Sequence, residues 1–184
     1  MGYVLKLLAI AKREANTVQV RVHPTFLPQA HPLSSVNGSF NAVYLNGHAC
    51  QEMMLQGRGA GDMPTASAVV SDILRAATAE THAHPTFANT AEADPSLIFD
   101  DNWESQYFLR LSVEDRPGVL AKIAGWLAQE DVSIATMLQK GKADDGRVPL
   151  IIVTHAAPEK SLRKALESFD KDVCTVESVI RVEA

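Results

Sequence analysis

The sequence of 184 residues has few cysteines, few aromatic residues and no long uninterrupted apolar run. Cys50 and Cys174 are far apart and lack the close spacing of metal ligands, so we expect free thiols, no bound metal and a reducing, cytoplasmic location. No apolar stretch approaches the roughly 20 residues of a bilayer span. Residues 2–11 also lack the pattern of a secretory signal. The sequence therefore predicts no membrane partner.

An excess of basic residues is also missing. Lys and Arg number 17 against 22 Asp and Glu, which gives a net charge of -5 and a pI ≈ 5.6. This balance argues against binding to nucleic acid or to an anionic membrane surface. Hydrophobic residues make up 46% of the chain, which is typical of a globular protein and too many for a disordered tail.

One change of composition divides the chain. Residues 76–101 are rich in Ala, Thr, His, Pro and acidic residues, and Pro85 and Pro95 would interrupt any helix there. This stretch predicts a linker, which we place at 79–104, between a first domain at 1–78 and a second at 105–184.

The second domain has a regular pattern of alternating and helical apolar spacing. The predicted elements are a strand at 107–113, a helix at 117–130, strands at 132–138 and 148–154, a helix starting at 158 and a strand at 174–182. A polar hairpin turn at 140–147 contains Asp145-Gly146. The order β-α-β-β-α-β predicts a ferredoxin-like fold in which two helices cover one face of a four-stranded sheet.

The first domain is less regular and predicts a small mixed α/β unit, so the fold class of the chain is α+β. Its predicted elements are a helix at 2–12, a strand at 17–22, two strands at 40–45 and 51–55 joined by the turn Asn46-Gly47, a glycine loop at 57–61 and a helix at 65–77 capped by Thr65.

Lys6 is the first candidate for chemistry because it lies in the apolar run GYVLKLLAIA. If this run packs as a helix, desolvation would lower the pKa of the ammonium group and allow proton exchange near neutral pH. The alternative is that Lys6 lies on an exposed stripe with its charge in water.

The glycine loop GRGAG is a second candidate because bare backbone before a helix can approach a ligand. Its spacing is not GxGxxG, so the alternative is a tight turn that needs positive φ. His23 and His31 lack partners at metal-ligand spacing and are better explained as parts of an extended passage stiffened by prolines.

The turn at residues 115–118 precedes a predicted helix, whose unpaired N–H groups would attract a carboxylate such as that of an amino acid. An ordinary βα turn is the alternative. The sheet face opposite the helices is weakly polar, so we expect a second copy of the chain to cover it. The residues assigned to this face are Phe108, Ala135, Met137, Ile151 and Val153.

The sequence also resembles a known family. The segments GYVLKLLAIAKR, VRVHPTFLPQAHPLSSVNGSFNAVYLNG and GRGAGDMPTASAVVSDIL resemble, in this order, the C-terminal part of the catalytic region of homoserine dehydrogenases. YFLRLSVEDRPGVLAKIAGWLAQEDVSIATMLQKG and GRVPLIIVTHAAPEKSLRKAL are similar to an ACT domain, a βαββαβ regulatory module. The family's N-terminal nucleotide-binding domain has no counterpart in the chain.

The resemblance implies an oxidoreductase that interconverts L-homoserine and aspartate semialdehyde with NAD or NADP, in threonine and methionine biosynthesis. It implies that Lys6 is the proton donor–acceptor and that Gly59, Ala60 and Gly61 lie by the nicotinamide. Many members have Asp four residues before this lysine, where the chain has Gly2. Without the nucleotide-binding domain, we expect the isolated chain to bind no cofactor tightly and to be inactive.

The resemblance to ACT domains implies an amino-acid effector, with threonine as the first candidate. Asp115, Gly118 and Val119 would hold the effector, and Ser133 and Ile134 of a partner copy would complete the pocket. The chain is thus expected to form at least a dimer, through its ACT domains and the catalytic-region sheet. Two alternatives are a stand-alone threonine-binding dimerisation module and an ACT segment that serves only as a dimer contact.

Overall fold

A computed structural model describes residues 2–78, 95–139, 141 and 146–183. In chain order the elements are β1 (Tyr3–Glu14), β2 (Thr17–Pro28), a 3-10 helix (Pro32–Ser35), β3 (Phe40–Gly47), β4 (Gln51–Arg58), α1 (Asp62–Thr78), β5 (Ile98–Phe99), β6 (Glu104–Glu114), α2 (Val119–Gln129), β7 (Ile134–Gln139), β8 (Arg147–Thr154), β9 (Ala157–Pro158), α3 (Glu159–Glu167) and β10 (Cys174–Val182). Among the described residues, no helix is both long and apolar enough to span a membrane.

The predicted ferredoxin-like fold of the second domain is confirmed. Its four main strands pair in the order β10-β6-β8-β7, and all three pairings are antiparallel. Alternate residues of β6 are buried, as their apolar periodicity predicts. They form one core with the apolar faces of the two helices, which include Val119, Ile123 and Leu127 of α2 and Leu162 of α3. Most of the predicted turn at 140–147 lies outside the described residues.

The predicted helix at 2–12 is wrong, because this segment forms strand β1. It pairs with β2 along its full length, from Tyr3 opposite Pro28 to Glu14 opposite Thr17. The two-residue connection places Ala15 at φ 51, as a tight hairpin turn requires. Apolar residues lie on both faces of β1, so its sequence shows neither helical nor strand periodicity clearly. Pairing with β2 over twelve residues determines the strand.

Strand β2 was predicted to end at His23-Pro24 but continues to Pro28, and its second half joins the sheet of the ACT region. Thr25 and Phe26 pair in parallel with Arg181 and Val182 of β10. At the other end of the same edge of β2, the short strand β5 pairs with Thr17 and Val18, within the segment predicted as linker. One compact unit therefore consists of Met1–Pro28 and Leu97–Ala184. The compact units do not follow the predicted boundaries, because this pairing joins distant parts of the sequence.

The second compact unit, Gln29–Ser96, contains the β3–β4 hairpin and α1. The predicted turn Asn46-Gly47 is wrong, since both residues extend β3 and the chain turns at 48–50. Helix α1 begins at Asp62 rather than at Thr65, whose N–H bonds to the Gly61 carbonyl oxygen at 3.1 Å. None of the described residues of this unit is buried. The described core therefore lies in the first unit.

Candidate functional site

The predicted cofactor loop is shorter than the sequence suggests, because Gly57 and Arg58 belong to β4. Gly59 continues the hairpin ladder by donating its N–H to the Ser39 carbonyl oxygen at 2.9 Å. A Cβ at Gly59 would lie 1.8 Å from Nδ2 of Asn41, so this position has no room for a side chain unless Asn41 moves. Gly61 has φ +123, which disfavours other residues.

The charge around this loop distinguishes between the two ends of a nicotinamide cofactor. Helix α1 starts directly after Gly61 and carries Asp62 in its first turn. This carboxylate counteracts the positive end of the helix dipole and disfavours a phosphate group there. A cationic nicotinamide ring is compatible with the acid and with the bare backbone. The Asp62 end of the loop thus suits the ring better than the pyrophosphate, whereas Arg58 at its other end has the opposite charge and contacts Ser39 and Phe40.

Lys6 lies on β1, half-buried, and stands opposite the buried Thr25 of β2. The helix on which the comparison with the family's catalytic lysine depended is absent. The correspondence between Lys6 and a helical lysine therefore loses its structural basis. The proton-transfer role of Lys6 rests on the resemblance alone, and no contact among the described residues tests it.

The two histidines of the extended passage both have structural contacts. His31 accepts a hydrogen bond at Nδ1 from the Leu33 N–H at 3.1 Å and caps the 3-10 helix. His23 is buried on β2, against Trp103. The described residues contain no group of three or more side chains that could hold a metal ion.

The predicted effector residues lie at the start of α2 and of β7. Gly118 has φ 90 and precedes α2, while Asp115 is exposed in the turn before it. The side chain of Val119 belongs to the core, and its N–H lies 3.4 Å from the Arg116 carbonyl oxygen. An effector would therefore contact Val119 through its backbone only.

The partner-side effector residues differ in exposure. Ser133 is exposed and its carbonyl oxygen accepts the His155 N–H at 2.8 Å. Ile134 is half-buried as the first residue of β7. The Ser133 side chain is thus available to a ligand.

A layer of buried charge between the β1–β2 hairpin and the ACT region was missed by the sequence analysis. Glu159 accepts a hydrogen bond from the Tyr107 hydroxyl at 3.2 Å and pairs with Arg181. Arg21 pairs with Glu183 at 2.6 Å although its side chain is only 2% exposed. The alternation of β2, with Arg21, His23 and Thr25 at every second position, was the one available signal. The same polar alternation would also fit the solvent-exposed face of a strand.

Comparison with known proteins gives a consistent assignment. Residues 1–74 match the family model of homoserine dehydrogenase, and residues 107–171 match that of the ACT domain. The homoserine dehydrogenase of Corynebacterium glutamicum is 40% identical over 99% of the chain, and that of Neisseria gonorrhoeae is 36% identical over all of it. The crystal structure of a homoserine dehydrogenase from Thiobacillus denitrificans matches 99% of the chain with a TM-score of 0.81 and 36% identity.

The coverage of these relatives is partial. The chain spans 42% of the length of the Corynebacterium protein, 44% of the Neisseria protein and 43% of the Thiobacillus structure. The two matched regions follow each other in the chain as the sequence motifs do. Residues 1–74 belong to the homoserine dehydrogenase family, and residues 107–171 belong to the ACT domain family.

Proposed function

We propose that the chain is the part of a cytoplasmic homoserine dehydrogenase that supplies the nicotinamide-side loop and an amino-acid-binding regulatory domain. The whole enzyme would interconvert L-homoserine and aspartate semialdehyde with NAD or NADP. The observation that carries this proposal is the second unit, whose described residues include none that is buried. A unit without a core of its own needs further protein to cover its apolar side chains.

Helix α1 carries apolar side chains of this unit that need a cover. It is 17 residues long, and Val69, Val70, Ile73 and Leu74 are all at least half exposed. These positions recur at helical spacing and form one apolar stripe. The part of the relatives that the chain does not span is the natural cover for this stripe, since the chain has less than half of their length.

The cofactor would be NAD or NADP, bound mainly outside this chain. Gly59, Ala60 and Gly61 would lie against the nicotinamide ring, which the bare backbone and the nearby Asp62 can accommodate. The bound cofactor supplies the hydride acceptor. The loop itself would orient the ring and exclude water from one of its faces.

The ACT domain would bind an amino-acid effector, with L-threonine as the first candidate. Asp115 and the backbone at Gly118 would hold the effector, with only the backbone of Val119 in reach, and Ser133 and Ile134 of a partner copy would close the pocket. Feedback requires that threonine binds one arrangement of the domain better than another, because only a difference in affinity shifts an equilibrium.

The chain would act as a dimer at least, through the open face of its large sheet. Leu5, Leu7, Val20 and Val22 lie on that face of the hairpin and are at least half exposed. Phe26 continues the face to β6, where its ring meets Phe108 edge-on at 5.1 Å. Met137 was also predicted on the open face, but it pairs with the buried Ile152 of β8. Paired residues lie on the same face of a sheet, so Met137 is on the side of the helices.

A chimera tests the enzyme proposal. The chain replaces the matching 44% of the Neisseria gonorrhoeae enzyme, and homoserine-dependent reduction of NAD or NADP is measured. We expect activity from the chimera and none from the isolated chain. An active isolated chain would contradict the proposed division of the site. An inactive but folded and dimeric chimera would contradict the enzyme assignment.

A second candidate is a stand-alone threonine-binding module, which the completely formed ACT core favours. Calorimetry with L-threonine on the isolated chain tests it. Saturable heat that is lost in Asp115→Ala, together with an inactive chimera, supports this candidate. Absence of binding of any proteinogenic amino acid leaves the ACT domain as a dimer contact.

A further inference from the structure

The β1–β2 hairpin is attached to the ACT region through few backbone pairs and many buried polar side chains. Only Thr25 and Phe26 of β2 pair with β10. The side chains between the hairpin and the ACT helices form what we call the polar seam: Arg21, His23, Trp103, Glu159 and Arg181. The seam joins a strand of the region matched by the homoserine dehydrogenase model to elements of the ACT region.

The guanidinium groups of the seam are unequally satisfied. Glu159, only 5% exposed, accepts from Tyr107 and from Nε of Arg181, each at 3.2 Å. Arg21 donates Nη2 to Glu183, and its guanidinium carbon lies 5.0 Å from the centre of the Trp103 ring. Nε and Nη1 of Arg21 are buried without a hydrogen-bond partner among the described residues. The hairpin side of the seam thus has more donors than acceptors.

His23 lies in the middle of this region of excess donors. Its Nδ1 is 2.9 Å from the Thr25 hydroxyl and 3.2 Å from the Pro24 carbonyl oxygen. Its Nε2 is buried without a partner in the described part of the chain, and its ring stacks at 6.2 Å on Trp103. A neutral imidazole fits this setting because Nε2 can remain an unprotonated acceptor.

The charged groups near His23 come from several elements of the fold. The charges that act on His23 itself are Arg21 on β2, Glu159 on α3 and Arg181 on β10. Behind them, Glu159 contacts Tyr107 of β6 and Arg163 of α3, and Arg21 contacts Glu183, which also pairs with Lys12 of β1. Lys6 of β1 stands opposite Thr25, two residues from His23. The two acids nearest to the guanidinium groups, Glu159 and Glu183, are already engaged in ion pairs.

A second proton on His23 is therefore unfavourable while the hairpin is docked. It would create a buried N–H without an acceptor and a third cation beside Arg21 and Arg181. Burial lowers the pKa of His23 below its ordinary value of 6.5. The charges of Arg181 and Arg21 lower this pKa further, against opposing contributions from the Pro24 carbonyl and Glu159. Undocking would give the imidazole access to water.

We propose that the polar seam is a proton-sensitive latch, in which protonation of His23 releases the β1–β2 hairpin from the ACT region. Docking favours the neutral ring, so its contribution is complete above pH 6.5 and is lost as the pH falls toward the lowered pKa. The latch depends on neither the effector nor the cofactor, and it stands independently of the proposed function. Acidification would loosen the connection between the two matched regions.

Hydrogen–deuterium exchange on the 184-residue chain tests the latch. We expect the amides of β2 to lose about three- to tenfold of their protection between about pH 7.5 and 5.5, after correction for intrinsic exchange, while β6 and β8 keep theirs. In His23→Asn, which keeps a polar atom near the Nδ1 position and does not titrate, protection should be equal at both pH values. His155→Asn, at an exposed histidine of the same unit, should behave as the parent chain.

A direct titration covers the case in which His23→Asn prevents docking at every pH. Histidine NMR signals of the unsubstituted chain should show the His23 ring titrating below its ordinary pKa of 6.5, with hairpin protection following the His23 curve. A His23 midpoint at or above pH 6.5 would overturn the proposal. So would constant protection of β2 across this pH range, or acid loosening that persists in His23→Asn.

Discussion

At the scale of single residues, Glu159 is the most consequential ion-pair partner of the ACT region. Its carboxylate is 5% exposed and holds Tyr107 and Arg181. Burial would raise its pKa, but the hydrogen bond and charge of Arg181 and the hydroxyl of Tyr107 outweigh this, and the pKa lies below 4.5. Removing the charge leaves the Arg181 guanidinium without its counter-ion and replaces one of the two accepting oxygens by a donor.

Glu159→Gln should therefore lower the free energy of unfolding by about 1.5–3 kcal/mol at neutral pH, measured by urea denaturation. The lowered pKa means that the stabilising contribution is present above pH 4.5 and is lost as the pH falls further. The difference between the two proteins should accordingly shrink below pH 4. Glu177→Gln is the control, because its pair with Arg110 is exposed and should contribute less than about 1 kcal/mol. Equal effects of the two substitutions would contradict the account.

Substitution of Lys6 tests whether this residue transfers a proton, as the resemblance implies, or is only a structural part of strand β1. A proton relay would lose about 10²–10⁴ in kcat when its side chain cannot titrate. Because Lys6 lies on β1 opposite Thr25, we expect Lys6→Met in the chimera to change kcat by less than about threefold. A loss of a hundredfold or more, with an altered pH–rate profile, would restore the catalytic role.

Gly59 should be the least tolerant glycine of the hairpin. Gly59→Ala places a methyl group against the Asn41 carboxamide and should cost about 1–2 kcal/mol of local stability. Amide exchange of the Gly59–Ser39 hydrogen bond measures this cost. Gly57→Ala has open space around it and should have little effect, and Asn41→Ala should rescue Gly59→Ala. Lack of rescue would show that the contact does not limit this position.

At the scale of elements, the success of sequence-based prediction follows the burial of one face. The strands β6 and β8 have one face in a core and the other partly exposed, so apolar alternation reveals them. Helix α2 buries Val119, Ile123 and Leu127, and its helical apolar spacing is just as easily recognised in the sequence. Strand β1 has apolar residues on both faces and becomes recognisable only through its partner β2.

The candidate site was predictable from the sequence only in part. The glycine loop was found because glycine has a local backbone role, visible in Gly61 and in the space at Gly59. The polar seam was not found, because Arg21 and Arg181 come together only through pairing of β2 with β10. Sequence spacing contains no information on such a distant contact.

The side chains of the apolar stripe of α1 are exposed and those of one face of α2 are buried, so substitutions in the two helices should have different effects on stability. Ile73→Ser on α1 should change the unfolding free energy of the isolated chain by less than about 0.5 kcal/mol, since Ile73 is 60% exposed. Leu127→Ala on α2 should cost about 2–5 kcal/mol because Leu127 is fully buried. Urea denaturation measures both. In the chimera Ile73→Ser should become destabilising, and its failure to do so would mean that the stripe stays uncovered.

At the scale of the whole molecule, the open sheet face should determine the oligomeric state. Leu7 and Val22, 74% and 67% exposed, lie on this face. The pair of substitutions Leu7→Lys and Val22→Lys should convert a dimer into a monomer in sedimentation velocity, because opposed lysines repel and cannot be desolvated. Glu167→Lys, at an exposed residue of α3, should remain dimeric. A double variant of unchanged mass would place the contact elsewhere.

The pairing of β2 with β10 also sets an order of events during synthesis. Arg21 and its partner Glu183 are 162 residues apart in the chain. At a translation rate of about 5–20 residues per second, the ribosome needs on the order of ten to thirty seconds between them. Throughout that interval the nascent hairpin exposes an apolar face and the arginine and histidine side chains that are buried in the folded protein. The segments that pack against these side chains have not yet been synthesised. Newly made chains should accordingly depend on chaperones more than the finished fold suggests.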